Sequence, residues 1–184
     1  MTPEHLPLLI ALDSDAEVLR HILGRARTVR EATDFWGPKC ADTVADAQGL
    51  GWWVGFMLTD TADGSDFVGW WDLSPGSIDA PATAAKGRAE AGWRLTRRHW
   101  RKGLASEGAA ALLAHGFGNV GLEVVWAETM AVNVGSRGVM RRLGMTHVRT
   151  EHRDFDDPLP GNDQGEVVYE ITRGQWFTAC DDQS

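Results

Sequence analysis

The sequence predicts an α/β domain, and two observations carry that prediction. The first is a strand, a helix and a strand within about forty residues. Glu90–Thr96 alternates small or apolar with polar side chains, as a half-buried strand does. Leu104 to His115 is rich in Ala and Leu, with Leu104, Gly108, Ala111, Leu112 and His115 at helical spacing. Glu123–Met130 follows a Gly-rich break as the second strand. That order calls for a right-handed crossover between parallel strands. The second observation lies upstream. Gly51–Leu58 and Asp66–Leu73 alternate as the arms of an antiparallel hairpin, joined across 59–65 by a turn containing Asp63-Gly64.

The remaining elements fit around these. Residues 4–22 are expected to be helical with a break near Asp13-Ser14-Asp15; Leu6, Leu9, Ile10, Val18, Leu19 and Ile22 supply apolar faces. Thr28-Val29-Arg30-Glu31 has capping-box spacing for a second helix, which should run through Phe35 and stop at Gly37-Pro38. Residues 74–88 are expected to form a loop. Beyond the second parallel strand, Val139, Met140 and Leu143 give a short helix one inward face, and Gly144 ends it through a left-handed cap. Residues 145–153 and 166–173 form a closing antiparallel pair, separated by a Pro/Gly loop placed to cover a site. The tail past Trp176-Phe177 is expected to fray. No linker or repeat divides the chain, so one domain over 1–184 is expected.

Composition narrows the classes of function. Of 184 residues, 43% are hydrophobic and 24% charged, which is a globular balance. No apolar run approaches the ~20 residues of a membrane span. The net charge of −8 and a pI near 5.2 argue against nucleic-acid binding and favour cationic acceptors. Cys40 and Cys180 lie far apart and match no metal spacing, so no metal and a reducing cytoplasm are expected. Most of the nine tryptophans should be core.

The turn entering the Ala-rich helix is where chemistry concentrates. Arg94, Arg97, Arg98, Arg101 and Lys102 fall within nine residues, ahead of Gly103-Leu104-Ala105-Ser106. A helix start presents unpaired N–H groups, and Gly and Ala leave room for an anion to reach them. Neither GxxxxGK[ST] nor GxGxxG is present, so neither an NTP loop nor a dinucleotide fingerprint fits, whereas a pyrophosphate does.

Three blocks in order then resemble the GNAT acyl-CoA-dependent N-acetyltransferases, and within them the Rim-like enzymes that acetylate ribosomal-protein N-termini. The first is Glu90–Leu95 leading into Trp100-Arg101-Lys102-Gly103-Leu104-Ala105-Ser106-Glu107, similar to the [QR]xxGx[GA] phosphate loop with Trp100 in the Gln/Arg place. The second runs from Ala127 through Asn133, Ser136 and Val139–Met145, and the third from Pro160-Gly161 to Thr172. The resemblance implies a mixed, mostly antiparallel sheet with a splayed parallel pair and flanking helices. Two departures stand out: no strand is evident before the first helix, and Met140 occupies the place where many relatives carry a tyrosine acid.

The resemblance further implies acetyl transfer from acetyl-CoA to a primary amine, either a peptide N-terminus or a small amine. Leu95 and Arg97 match backbone contacts to the pantetheine arm. Arg98, His99, Trp100, Arg101, Lys102, Gly103, Leu104 and Ala105 would cradle the pyrophosphate, with a hydroxyl from Ser106. Asn133 is a cofactor contact, a helix N-cap, or both. Glu90 and Glu128 are the candidate bases, with Asp72 behind them. Ser136 is the candidate donor to the leaving thiolate, and Tyr169, the one tyrosine, would reach the acceptor or the thiol. An aminoglycoside-type acetyltransferase and a non-catalytic acyl-CoA sensor are the alternatives, and a homodimer is left open.

Overall fold

A computed structural model describes residues 1–42, 48–58, 65–75 and 87–181. The hairpin turn at 59–64, the loop at 76–86 and the last three residues, about which the sequence made claims, lie outside the described residues.

Six strands form one sheet in the order β1-β2-β3-β4-β6-β5. They are β1 (Gly51–Leu58), β2 (Ser65–Pro75), β3 (Arg88–Leu95), β4 (Val124–Met130), β5 (Thr146–Glu151) and β6 (Glu166–Thr172). All neighbours are antiparallel except β3 and β4, the parallel pair expected from the crossover. The helices are α1 (Leu6–Asp13), α2 (Val29–Ala41), α3 (Leu104–His115), α4 (Val134–Arg142) and α5 (Arg173–Asp181). Among the described residues no strand precedes α1, so β1 is an edge. No described helix is long and apolar enough to cross a membrane.

Two apolar clusters sandwich the sheet. On one face Leu73, Ala91, Leu95, Val125, Ala127, Val167, Tyr169 and Ile171 pack against Ala109 and Leu113 of α3, Met140 of α4, and Phe117. On the other, Leu9 and Leu12 of α1 and Ala32, Trp36 and Cys40 of α2 pack against Phe67 and Trp70. Strict alternation would put Val68 beside Trp70. Instead Gly55 pairs with Gly69 and Phe56 with Phe67, leaving Val68 unpaired in a bulge. The extra residue turns Phe67 and Trp70 toward α1 and α2, and Val68 and Trp71 toward α3. Gly108 permits the α3 approach, since a Cβ there would fall 2.3 Å from the Trp71 ring. Trp71 Nε1 in turn donates to the Ala105 carbonyl at 3.0 Å.

Several expectations hold at the level of individual bonds. The Thr28–Glu31 capping box is present in both directions. Gly144 follows α4 with φ of 79°. Two expectations are corrected. The second helix continues past Gly37-Pro38 to Ala41 because Ala32, Trp36 and Cys40 bury one stripe on both sides of the proline. The residues just past Trp176-Phe177 are helical as far as Asp181, since α5 continues through them with Trp176 packed on the core.

One buried network ties the two halves of this face together. Asp13, at 0% exposure, accepts from Arg27 Nη1 at 2.5 Å, Arg94 Nη1 at 2.6 Å and Trp36 Nε1 at 2.8 Å. It thereby joins the end of α1 to the chain entering α2, to α2 itself and to β3. Removing one member of a buried charge cluster strands the others. Asp13→Ala should therefore lower unfolding free energy by about 3–5 kcal/mol in urea titrations; a loss below about 1 kcal/mol would show that the network carries little stability.

The cleft at the diverging strands

Only three residue pairs join β3 to β4: Arg88 with Val124, Ala89 with Val125, and Glu90 with Trp126. Beyond Glu90 the strands part, although β3 stays paired to β2 as far as Leu95 and β4 to β6 as far as Met130. The opening widens into a cavity of about 860 Å3. Its walls come from the segment after α1 (Glu17, Val18, His21, Ile22), from β3, from the turn into α3, from the end of β4 and from α4.

At one end of the cleft is the cationic turn. Arg101 (φ 59°) and Gly103 (φ 84°) both take left-handed conformations, which fold the main chain back before α3 begins. No side chain caps α3, and helix geometry leaves the N–H groups of Leu104, Ala105 and Ser106 without partners inside the helix. The side chains of the turn divide. Arg97 pairs with Asp15 at 2.7 Å, Arg98 pairs with Asp66, and buried His99 meets Asp66 at 2.9 Å. These three brace the turn against the rest of the fold. Trp100 Nε1 donates to the Leu95 carbonyl at 2.8 Å, closing the turn onto the end of β3. His99, Trp100, Arg101, Gly103, Leu104, Ala105, Ser106 and Leu95 line the cleft; Arg97, Arg98 and Lys102 do not.

Arg142 is a residue that sequence reasoning missed. It lines the same end, with Nη1 3.7 Å from where a Cβ on Gly103 would stand. Its sequence signal is a place one helical turn after Gly138 and Val139, which line the same cleft.

In the middle of the cleft, register places a row of acids on one sheet face. Asp72 is opposite Gly92, Glu90 is opposite Ser74 and Trp126, and Glu128 is opposite Val168. Glu128 is held bidentately by Arg153, at 2.5 and 2.9 Å. Arg153 also binds Glu151, and these two carboxylates raise its pKa. Among the described residues nothing hydrogen-bonds to or pairs with the Glu90 carboxylate. Burial pushes Glu90 up to about 7, helped by the charges of Asp72 and Glu128 and opposed by Arg153. Burial likewise pushes Asp72 up to about 6, against hydrogen bonds from Ser74 and the Gly92 N–H and the charges of Arg94 and Lys39.

Asn133 and Ser136 line the far wall. Asn133 Oδ1 accepts from the Ser136 N–H at 3.2 Å, and its Nδ2 donates to Thr129 Oγ1 at 3.0 Å, so it does cap α4. Tyr169 is not brought to the cleft. It faces the opposite cluster, beside His147, and its hydroxyl meets Arg137 and Arg141. Burial raises the phenol, but those two guanidinium groups outweigh it and hold the pKa below the ordinary value. Among the described residues no group of His, Cys, Asp and Glu is arranged to hold a metal.

Comparison with known proteins agrees with this architecture. The family model for the acetyltransferase (GNAT) domain matches residues 1–146. A protein of Aspergillus fumigatus named FsC-acetyl coenzyme A-N(2)-transacetylase is 40% identical over 178 residues, covering 95% of this chain and 72% of that protein. Spermidine N-acetyltransferase from Vibrio cholerae, solved with CoA and spermine, has the same fold at 13% identity, with a TM-score of 0.70 and coverage of 96% and 95%. So does an aminoglycoside acetyltransferase solved with coenzyme A and kanamycin, at 13% identity and a TM-score of 0.71, with coverage of 98% and 96%.

A side chain on Gly103 would intrude where an anion approaches the start of α3, and the left-handed φ adds about 1–2 kcal/mol of strain. Gly103→Val should weaken CoA at least tenfold by calorimetry while circular dichroism still shows a folded protein. Unchanged CoA affinity in that folded variant would remove the turn from the binding site.

Proposed function

The chain belongs to the GNAT acetyltransferase family, and from that membership we propose that it transfers the acetyl group of acetyl-CoA to a primary amine by direct attack, as one domain over 1–184. The observation that carries the mechanism is Glu90, a half-buried, unclamped carboxyl at the last residue pair before β3 and β4 part.

The residues of the cleft fit an extended thioester with a pyrophosphate at one end. The unpartnered N–H groups at the start of α3, with Arg101 and Arg142 beside them, would hold the phosphates; charge-assisted bonds of this kind are about twice as strong as neutral ones. The diverging edges past Glu90 and Trp126 would hold the arm, with an N–H near Leu95 facing the acyl oxygen. When bound, acetyl-CoA supplies an activated acyl carbon and a good leaving group.

The amine arrives protonated at neutral pH and must lose a proton before it can attack. Glu90, pushed up to about 7, takes that proton efficiently because its own pKa lies near the operating pH. Glu128 is the weaker candidate, since Arg153 occupies both its oxygens. Ser136, on the far wall, would hydrogen-bond the departing sulfur and relay a proton to it, its hydroxyl regaining one from solvent in the same step. Tyr169 has no part in this route, because it does not line the cleft.

The acids along the cleft, Glu17, Glu90, Glu128 and Glu166, favour a cationic acceptor. Within that class a small amine or a peptide N-terminus remains the proposal, the latter in keeping with the Rim-like resemblance. The widely separated cysteines support a cytoplasmic enzyme. Thiol release from acetyl-CoA against a panel of peptides, polyamines and aminoglycosides tests the reading. CoA binding without thiol release on any amine would favour the sensor instead.

Glu90→Gln keeps the shape and removes proton acceptance. It should lower kcat/KM by roughly 10²–10⁴ with CoA affinity retained. In the wild type, kcat/KM should rise as pH passes through about 7, because the carboxylate form is the active one. Glu128→Gln is the matched control, and a large loss there with none at Glu90 would reassign the base.

A further inference from the structure

The acid that no step above uses is Asp72. It is 5% exposed, and it lies on the same face as Glu90 but on the neighbouring strand. Asp72 is paired with Gly92, and Glu90 precedes Gly92 by two residues, so the two acids are diagonal neighbours. Such neighbours stand about 7–8 Å apart at their Cα atoms, and closer at their side chains.

Two contacts fix where the Asp72 carboxyl points. Ser74 Oγ donates to Oδ2 in a short bond. The Gly92 N–H donates to the same carboxyl. Gly92 also lacks the side chain that would block it: a Cβ there would fall 2.3 Å from Asp72 Oδ1. The carboxyl therefore lies over the bare main chain of Gly92, with no side chain at that position between it and Glu90.

We propose that Asp72 is a positioning residue for the acetyl transfer: pinned over Gly92, its carboxylate presents a fixed negative charge to Glu90 and sets that group's affinity for the proton of the incoming amine. The proposal rests on the reading of Glu90 as the base. No proton passes through Asp72; its charge acts on Glu90 through space.

The surrounding charges make the effect directional. Lys39 from α2 and Arg94 from β3 face Asp72, and Arg94 is already bound to Asp13. Glu128 from β4 faces Glu90, but Arg153 neutralises it. Asp72 is thus the carboxylate near Glu90 without a bound guanidinium. As pH rises, Asp72 at about 6 ionises ahead of Glu90 at about 7, and its charge then holds the second proton. A base that keeps its proton to neutral pH is also a stronger base once ionised.

The test is Asp72→Asn, which keeps size and hydrogen bonding and removes the charge. Two readouts are needed. The first is a titration of the Glu90 side-chain carbon by NMR in carbon-13-glutamate-labelled protein, with the signal assigned by its absence in Glu90→Gln. The second is the pH profile of kcat/KM with the best amine of the acceptor panel. The Glu90 midpoint and the acid limb of the profile should both move down by ~1–2 pH units. The high-pH rate should fall several-fold, because Glu90 becomes a weaker base.

An unmoved midpoint in folded Asp72→Asn would overturn the proposal, whatever happens to the rate, since mere structural damage lowers rates without moving the limb. Where Asp72→Asn fails to fold, Ser74→Ala serves: losing that hydrogen bond keeps Asp72 protonated longer, so the limb should move the same way by less, and no movement overturns the proposal. The base assignment fails separately. An acid limb that survives in Glu90→Gln would show that Glu90 is not the base, and would overturn the kinetic role of Asp72 even if the NMR midpoint moves.

Discussion

The short parallel ladder between β3 and β4 is the constraint from which the rest of the molecule follows. Three residue pairs join two three-stranded halves, β1-β2-β3 and β4-β6-β5, each of which is paired over a much longer length within itself. Past Glu90 each strand is held by its own half. Arg94 of β3 is bound into the Asp13 network at the end of α1, and Trp100 draws the Leu95 carbonyl into the turn below. Glu128 of β4 is bound by Arg153 from the segment after β5. These contacts tie the two strands to different neighbours on either side of the opening, which fits strands that part after Glu90 in a twisted sheet.

The same partners decide which acids remain chemically available. Among the described residues six carboxylates share the cleft-side face of the sheet: Asp72, Glu90, Glu128, Glu151, Glu166 and Glu170. Arg88 takes Glu170 at 2.7 Å, and Arg153 takes Glu128. Glu166 is pushed up by burial and by Glu128. A buried carboxylate that is paired stays charged and inert; one that is buried without a partner holds its proton to higher pH and can exchange it near neutrality. Glu90 is in the second state, with Asp72 next to it on the neighbouring strand. From sequence Glu90 stands only narrowly ahead of Glu128, because both are glutamates on neighbouring parallel strands. What separates them is Arg153, a contact across 25 positions of chain that no local pattern contains.

Much of the fold was legible for local reasons. The crossover, the capping box at Thr28–Glu31 and the left-handed Gly144 are each specified by residues within a turn or two of one another. The anion turn was legible for the same reason, since helix starts and glycines are local features. The errors share the opposite cause. Pro38 should have ended α2, but the buried stripe of Ala32, Trp36 and Cys40 outweighs one missing hydrogen bond. The bulge at Val68 depends on β1, and it reverses the facing of half a strand. Tyr169 looked available because it was the one tyrosine, yet its face was fixed by pairing with Ala127 and His147. Residues of the turn were assigned as a block, whereas Arg97, Arg98 and His99 spend their side chains on Asp15 and Asp66.

The placement of Tyr169 and Met140 bears on how the proposed chemistry divides its work. The α4 position facing the cleft centre carries a buried methionine, and the tyrosine, on the same sheet face but outside the cleft, meets Arg137 and Arg141. No phenol is thus at hand to protonate a leaving group. A thiolate needs little such help, since a thiol pKa of ~8.5 makes it a stable anion near neutrality. An alkylammonium, with a pKa near 10, is the harder partner. The difference of roughly two pH units places the demand for proton transfer on the amine side of the reaction. That is the side on which this chain has set a buried and a half-buried acid next to each other, with one position kept as bare glycine between them. On the proposed reading, the cost of desolvating Asp72 and Glu90 falls where the reaction needs a base, and Ser136 alone suffices at the sulfur.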